Sequence, residues 1–164
     1  MKMREYLQEF YKLFSTDEIL LRLLHYKPED SMDDPLSPNK PNILDMPIQD
    51  RYEIIDTLMK FTPTTEDLTK KSSTCRLFFY PSRRGNTTNY AIADQNIKFD
   101  VFVHMDFNDK DMRLAWICDH INDLLFDKHI TGMKKLSFVG GNEIGAPEGY
   151  TAFQLIYNVG SHKR

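Results

Sequence analysis

Five histidines, His25, His104, His120, His129 and His162, are the side chains of this sequence best suited to acid–base or metal chemistry. No two stand four apart, the spacing that sets two imidazoles on one helix face in zinc hydrolases. His104 and Asp106, at the end of an apolar run, are the nearest approach to a ligand pair, and Asp123 or His129 would have to complete a site. A solvated strand end accounts for the pair without a metal. His120 beside Asp119 reads as a surface pair, worth on the order of tenths of a kcal/mol. The run Gly140-Gly141-Asn142-Glu143-Ile144-Gly145 has glycines that let backbone N–H groups approach an anion, but Ala146-Pro147 stand where a phosphate loop needs Lys and Ser or Thr. A connection between two strands explains these glycines better. No Gly-x-Ser-x-Gly elbow is present, and neither Cys75 nor Cys118 has the surroundings of a catalytic thiol. Glu29 to Asp34 is acidic, yet Pro35 and the lack of an ordered aspartate ladder argue against calcium. The expectation is an assembly subunit with no cofactor and no metal site, rather than an enzyme. The basic run Arg83-Arg84-Gly85-Asn86, with Tyr90 beyond it, remains as a surface that could meet phosphate or an acidic protein neighbour.

These residues need elements to hold them. At 164 residues, with 41% hydrophobic and 27% charged side chains, the chain has the composition of one globular domain that folds without metals or disulfides. A net charge of -3 gives no overall electrostatic reason to expect nucleic acid as the main partner. The opening MKMREYLQEFYKLF is amphipathic and interrupted by charge, so it is not read as a signal peptide, and no run approaches the roughly 20 apolar residues of a membrane span. Both cysteines are expected buried and reduced in a cytoplasm, where Asn86-Thr87-Thr88 has no meaning as a glycosylation sequon.

Leu7, Phe10, Tyr11 and Phe14 repeat at helical spacing, and Ser15 with Glu18 forms a capping-box signature, which predicts helices over 3–14 and 16–26. Residues 27–50 carry Pro28, Pro35, Pro38, Pro41 and Pro47 and read as a long loop or arm, one that is mobile or reserved for a partner. A short helix is expected within 49–61, ended by Pro63. Cys75 to Tyr80 reads as a strand, and Ile97 to Met105 as a second. In the second, Ile97, Phe99, Val101, Val103 and Met105 alternate with Lys98, Asp100, Phe102 and His104, so one face is buried and the other open. The polar stretch 81–96 between them becomes a protruding hairpin loop tipped by Arg83 and Arg84. A long helix follows over 109–126, with Met112, Ala115, Trp116, Ile121, Leu124 and Leu125 as its apolar face. Gly132 lies in the turn after it, Leu136 to Val139 forms a short strand, residues 140–147 a glycine loop, and Tyr150 to Val159 a closing strand. The fold class is α+β: a small, largely antiparallel four-stranded sheet packed against a long helix, with N-terminal helices (1–26), a proline-rich arm (27–50) and a sheet-and-helix core (51–164) in one domain.

The stretches CRLFFYPSRRGN, IKFDVFVHMDFNDKDMRLAWICDHINDLL, GMKKLSFVGGNEI and GYTAFQLIYNV, about half of the chain, resemble the tail-terminator and head-tail joining proteins of tailed bacteriophages. In that family a long hairpin leads into a strand, an acidic turn and a helix, and two further strands close a small sheet. The resemblance implies a homo-oligomer, a hexameric ring that caps the tail tube protein and meets the head connector or stopper. It implies a virion protein of the tail-neck region assembled in the host cytoplasm, with no catalysis, and with nucleic acid at most passing through the ring channel. The proline-rich arm is longer than a minimal terminator needs, which leaves a head-closure or adaptor protein, or a minor tail protein, as alternatives. A cytosolic domain that binds a ligand or peptide on the open sheet face around Phe102 is the alternative from another class. The interface residues expected on the terminator reading are Arg83, Arg84, Gly85, Asn86 and Tyr90, for neighbouring rings or the channel, and Pro35, Pro38 and Pro41, for subunit or collar contacts.

Overall fold

The structure is a computed structural model that describes residues 2–70, 72–130 and 134–164. The amphipathic opening forms α1 (Met3–Ser15) and α2 (Glu18–His25), close to the expected spans. The cap of α2 is Asp17 rather than Ser15, because Ser15 is still the last residue of α1; the Asp17 carboxylate accepts from Leu20 N–H at 2.8 Å. Helix α3 (Ile48–Leu58) follows, then β1 (Met59–Lys60), β2 (Cys75–Asn86), β3 (Ile92–His104), α4 (Met105–Asp111), α5 (Arg113–Leu125), β4 (Ser137–Ile144) and β5 (Tyr150–His162).

The sheet has five strands, in the order β1-β2-β3-β5-β4. The fifth strand missing from the sequence reading is β1, two residues paired parallel to β2 through Met59↔Leu77 and Lys60↔Phe78. Two residues are too short to show a period, and they continue directly from α3. All other pairings are antiparallel. The apolar stripes of α1, α2 and α5 pack on the face built from Leu77, Phe79, Ile97, Phe99, Val101 and Tyr157. Aromatic rings carry much of this layer: Phe10 meets Phe99 edge-on at 5.3 Å, Phe14 meets Phe79 at 5.5 Å, and Phe99 meets Tyr157 at 6.0 Å. Each such pair adds about 0.5–1.5 kcal/mol beyond its buried area.

The opposite face is not fully open. Leu68, from the segment before β2, lies with Phe78, Phe102 and Ala152 in a second apolar cluster, and Tyr150 Oη donates to Leu68 O at 3.0 Å. Phe102 is therefore only 3% exposed, against the expectation of an exposed ligand platform. Beside it the buried Asp100 accepts from Tyr80 Oη at 2.5 Å and Gln154 Nε2 at 2.8 Å, which meets the hydrogen-bonding need of a carboxylate removed from water.

The expected long helix is two helices. Met112 takes a left-handed conformation, φ 55°, which ends α4 and starts α5 in a new direction. Asn108 spans the break: its backbone carbonyl accepts from Met112 N–H and its side-chain oxygen from Leu114 N–H, both at 3.0 Å. Met112, placed on the apolar face by periodicity, is 74% exposed as a result, and Arg113 turns inward. Arg113 is fully buried. It donates to the Leu23 and Tyr26 carbonyls at the end of α2 (2.6 and 2.7 Å) and forks onto Asp111, with Nη2 to Oδ2 at 2.7 Å. The last turn of α2 thus receives the donors that helix ends lack.

The proline-rich segment is not an arm. Buried Arg22 donates to the Ser37 and Lys40 carbonyls (3.2 and 3.0 Å), the Tyr26 hydroxyl donates to Pro41 O, and Ile43 is buried in a short 3-10 turn, Ile43–Asp45. Asp30, Asp34 and Asn42 each accept from a backbone N–H two residues on, so the segment is a chain of side-chain-closed turns laid against α2. Pro35 is buried, while Pro38 and Pro41 face solvent.

The hairpin and glycine loop also differ from expectation. Strand β2 runs on through Pro81 to Asn86, with a bulge between Pro81 and Arg84, so Arg83, Arg84, Gly85 and Asn86 belong to a strand and only 87–91 form the tip. Proline tolerates this place because β1 pairs with β2 only at Leu77 and Phe78, which leaves the side of β2 away from β3 without a strand neighbour at Pro81. Gly140 and Gly141 lie within β4, next to a bulge after Phe138. A Cβ on Gly141 would stand 2.8 Å from the Phe153 ring, so the close strand approach requires glycine there. Gly132, expected in the turn before β4, lies outside the described residues.

Candidate functional site

Two of the histidines hold elements of the fold together. His104 caps α4, its Nδ1 accepting from Asp106 N–H at 3.0 Å, and Asp106 is taken up by the Ser73 hydroxyl at 2.6 Å and Lys27 at 3.1 Å. His120 does not pair with Asp119 but reaches Asp17 at 2.7 Å, tying α5 to the cap of α2. Burial pushes the Asp17 carboxyl up, yet the bonds from His120 and Leu20 N–H outweigh it and hold the group below its ordinary value. Among the described residues no group of three or more His, Cys, Asp or Glu could hold a metal ion. No helix among them is long and apolar enough to cross a membrane. Both cysteines are free and buried; burial, then the neighbouring Asp119, pushes the Cys118 thiol up to about 12, so it stays protonated and inert.

Two surfaces stand out instead. The first is the hairpin end. Thr87 and Asn89 fix the tip internally: Thr87 Oγ1 accepts from Asn89 N–H at 3.2 Å, and Asn89 Oδ1 accepts from Ala91 N–H at 2.9 Å. The tip is also tied to the strand next to it, because Lys163 N–H donates to Ala91 O at 2.9 Å and Arg84 donates to the His162 carbonyl. This holds Tyr90 outward, 91% exposed, beside Lys2, His162, Lys163 and Arg164. Arg83 lies on the sheet face away from the helices, over Asp94, Asn96 and Asn158, where Lys134 already bonds Asp94 and Asn158 (2.6 and 2.5 Å). The Arg83 carbonyl accepts from Gln95 Nε2 at 3.3 Å, while its guanidinium has no hydrogen bond or ion pair among the described residues.

The second surface is the outer edge of the sheet. Strand β4 pairs only with β5, so its other edge is free. Between it and α5 runs a groove of about 490 Å³, floored by Gly141, Phe153 and Leu155 and walled by Leu114, Cys118 and Phe138. Exposed apolar side chains lie beside it: Phe126, 63% exposed, and Phe138, 48%, line an adjoining hollow, and Val139, next on β4, is 53% exposed. Asp119 and Asp123 on α5 and Glu143 on β4 flank it, and none of the three carboxylates has a hydrogen bond or ion pair among the described residues. Burial, then the nearby Asp123 carboxylate, pushes the Tyr157 hydroxyl up to about 12.

Of the expected interface residues, the structure gathers Arg83, Arg84, Gly85, Asn86 and Tyr90 at one end, the first four on a strand rather than in a loop and Tyr90 in the tip. Pro35, Pro38 and Pro41 sit elsewhere, on the folded segment against α2. The groove was missed from sequence. The one available signal was Phe138-Val139 before a double glycine, apolar residues on a strand with no polar alternation.

The described residues thus form a five-stranded α+β sheet with helices on one face, a strand edge with exposed apolar side chains and a basic hairpin end. The profile of the YomW family matches residues 17–159, and the chain belongs to that family. It is similar to the SPbeta prophage-derived uncharacterized protein YomW of Bacillus subtilis strain 168, 28% identical and covering 97% of each chain, which makes the family phage-associated.

Proposed function

We propose that the chain is a structural virion protein of a tailed phage: a tail terminator whose copies close into a ring, likened above to a hexamer, that caps the tail tube and joins it to the head connector or stopper. Its place would be the neck of the virion, reached by assembly in the host cytoplasm, with nucleic acid only traversing the ring channel. No catalytic step belongs to this reading. The observation that carries it is the free edge β4 with Phe126, Phe138 and Val139 exposed beside it, in a family with a prophage-derived member. Long unpaired strand edges and clustered exposed aromatics are what soluble monomers suppress and assembly subunits use. Removing the gene from a phage that carries it is expected to leave filled heads and separate tails; infectious, joined particles from the deletion would refute the proposal. Immunogold label on particles separates the terminator from a head-closure, adaptor or minor tail protein by its position along the neck. The buried state of Phe102 gives a ligand-binding reading no open platform on that part of the sheet.

A further inference from the structure

The hairpin end and the groove share no residue, and their characters are complementary. One is a pre-ordered knob with a nearly fully exposed tyrosine among cations; the other is an apolar trough flanked by three unpaired carboxylates. The geometry points to a head-to-tail contact between copies of this chain, in which the 87–91 tip of one copy enters the groove between α5 and β4 of the next. Tyr90 fills the apolar trough over Gly141, and Arg83 and Arg164 face Asp119, Asp123 and Glu143.

The inference rests on the reading of the chain as a ring-forming subunit and names the surfaces that would make the ring. A contact between two different patches propagates and closes only through rotation, which is what a ring requires; a two-fold dimer would instead join like to like. The tip brings little ordering cost, because Thr87, Asn89 and Lys163 already hold it. A trough of about 490 Å³ is ample for one tyrosyl ring with its flanking residues. The absence of a side chain at Gly141 keeps its floor flat, and a Cβ there would also crowd Gln154 O at 3.2 Å. The chain as a whole is acidic, so a basic end on a net charge of -3 is a local device rather than a general stickiness to polyanions.

The test is site-specific cross-linking of the full chain. With the native thiol of the groove wall removed by Cys118→Ala in both chains, a Tyr90→Cys chain mixed with a Phe138→Cys chain is expected to give a disulfide-linked pair in the mixture and not from either chain alone. Replacing Tyr90→Cys by Met32→Cys, at a residue 90% exposed and outside both surfaces, sets the collisional background. Tyr90→Ala is expected to weaken self-association about 30-fold, the loss typical of an interface anchor. Reversing Asp119→Lys with Asp123→Lys abolishes association, as does Arg83→Glu with Arg164→Glu; mixing the two double variants restores association in alternation, native hairpin on native groove and reversed hairpin on reversed groove. Far-UV circular dichroism confirms that each variant is folded. Pairing at background yield overturns the inference, as does a Phe138→Cys chain that links to itself, which would mean two β4 edges pair with each other. Oligomers that form in spite of Tyr90→Ala and both reversals overturn the contact while leaving ring assembly intact. Retention of a DNA duplex by the hairpin end with no link between copies assigns that end to nucleic acid and overturns it too. A chain that neither links nor assembles, alone or on tail tubes, removes the ring reading together with the contact.

Discussion

Replacing Arg113 with methionine removes the busiest side chain in the core. The guanidinium is fully buried, forks onto Asp111, satisfies two carbonyls at the end of α2, and lies 5.3 Å from the Phe107 ring. Methionine fills much of the volume but leaves Asp111, whose side chain is 10% exposed, without its partner. Breaking a buried pair in this way costs about 3–5 kcal/mol. The orphaned Leu23 and Tyr26 carbonyls push toward the upper end, at about 1–3 kcal/mol for each buried group left unbonded, not fully additive. Against a total stability of about 5–15 kcal/mol, this leaves a marginal fold. A loss of about 4 kcal/mol corresponds to a melting point lowered by roughly 8–16 °C for a chain of this size. Urea unfolding followed by circular dichroism and by the fluorescence of the single tryptophan, Trp116, measures it, and agreement of the two probes checks that one transition is being read. Arg113→Lys keeps the charge but cannot fork, so it should fall between wild type and methionine. The double change Asp111→Asn with Arg113→Met should cost less than the sum of the single changes. A loss under about 1 kcal/mol for Arg113→Met would refute the view that Arg113 holds α2 to the α4–α5 break.

Arg22→Met should release the 33–42 segment, costing about 1–3 kcal/mol from the freed Ser37 and Lys40 carbonyls, and limited proteolysis should cut first within that segment. His25 titrates low because it is buried. Its folded pKa lies below the unfolded value near 6.5, so the unfolded chain takes up the proton first. Stability is full above that value, falls as pH drops through it, and levels off below the folded pKa. His25→Phe should flatten this part of the stability-pH curve. Asp17 adds a loss at lower pH: its folded pKa is depressed, its contribution is complete above the unfolded value, and it disappears as pH falls through the folded one. Gly141→Ala should cost about 1–3 kcal/mol by forcing Phe153 and the neighbouring backbone apart, and should also weaken self-association.

The parts of this fold legible in the sequence are those set by period. The stripe of α1 and the alternation of Ile97, Phe99, Val101 and Val103 in β3 and of β5 place their apolar residues on the helix-covered face, whereas Met105, expected on that face, begins α4 and is 51% exposed, and Ile19 of the α2 stripe is 42% exposed. What was not legible depends on contacts between distant segments. The break at Met112 follows from Asn108 and from Arg113 seeking α2, neither of which alters hydrophobic spacing. Prolines from 28 to 47 correctly excluded helix and strand, but nothing local announces that Arg22, inside an apolar stripe, would gather their carbonyls. The basic run, expected in a loop, stands on a strand, because Pro81 reads as a strand end unless the pairing on one side of the strand stops before it. The groove beside β4 arises from sheet order, which the chain does not spell out locally.

The most direct measurement is cryo-electron microscopy of the head-to-tail junction of a phage that carries this chain. The account predicts a closed ring of this protein between tail tube and connector, each copy's hairpin tip seated against the α5–β4 groove of the next. Particles whose neck contains no copy of the chain, or copies that stand apart without touching one another, would contradict it.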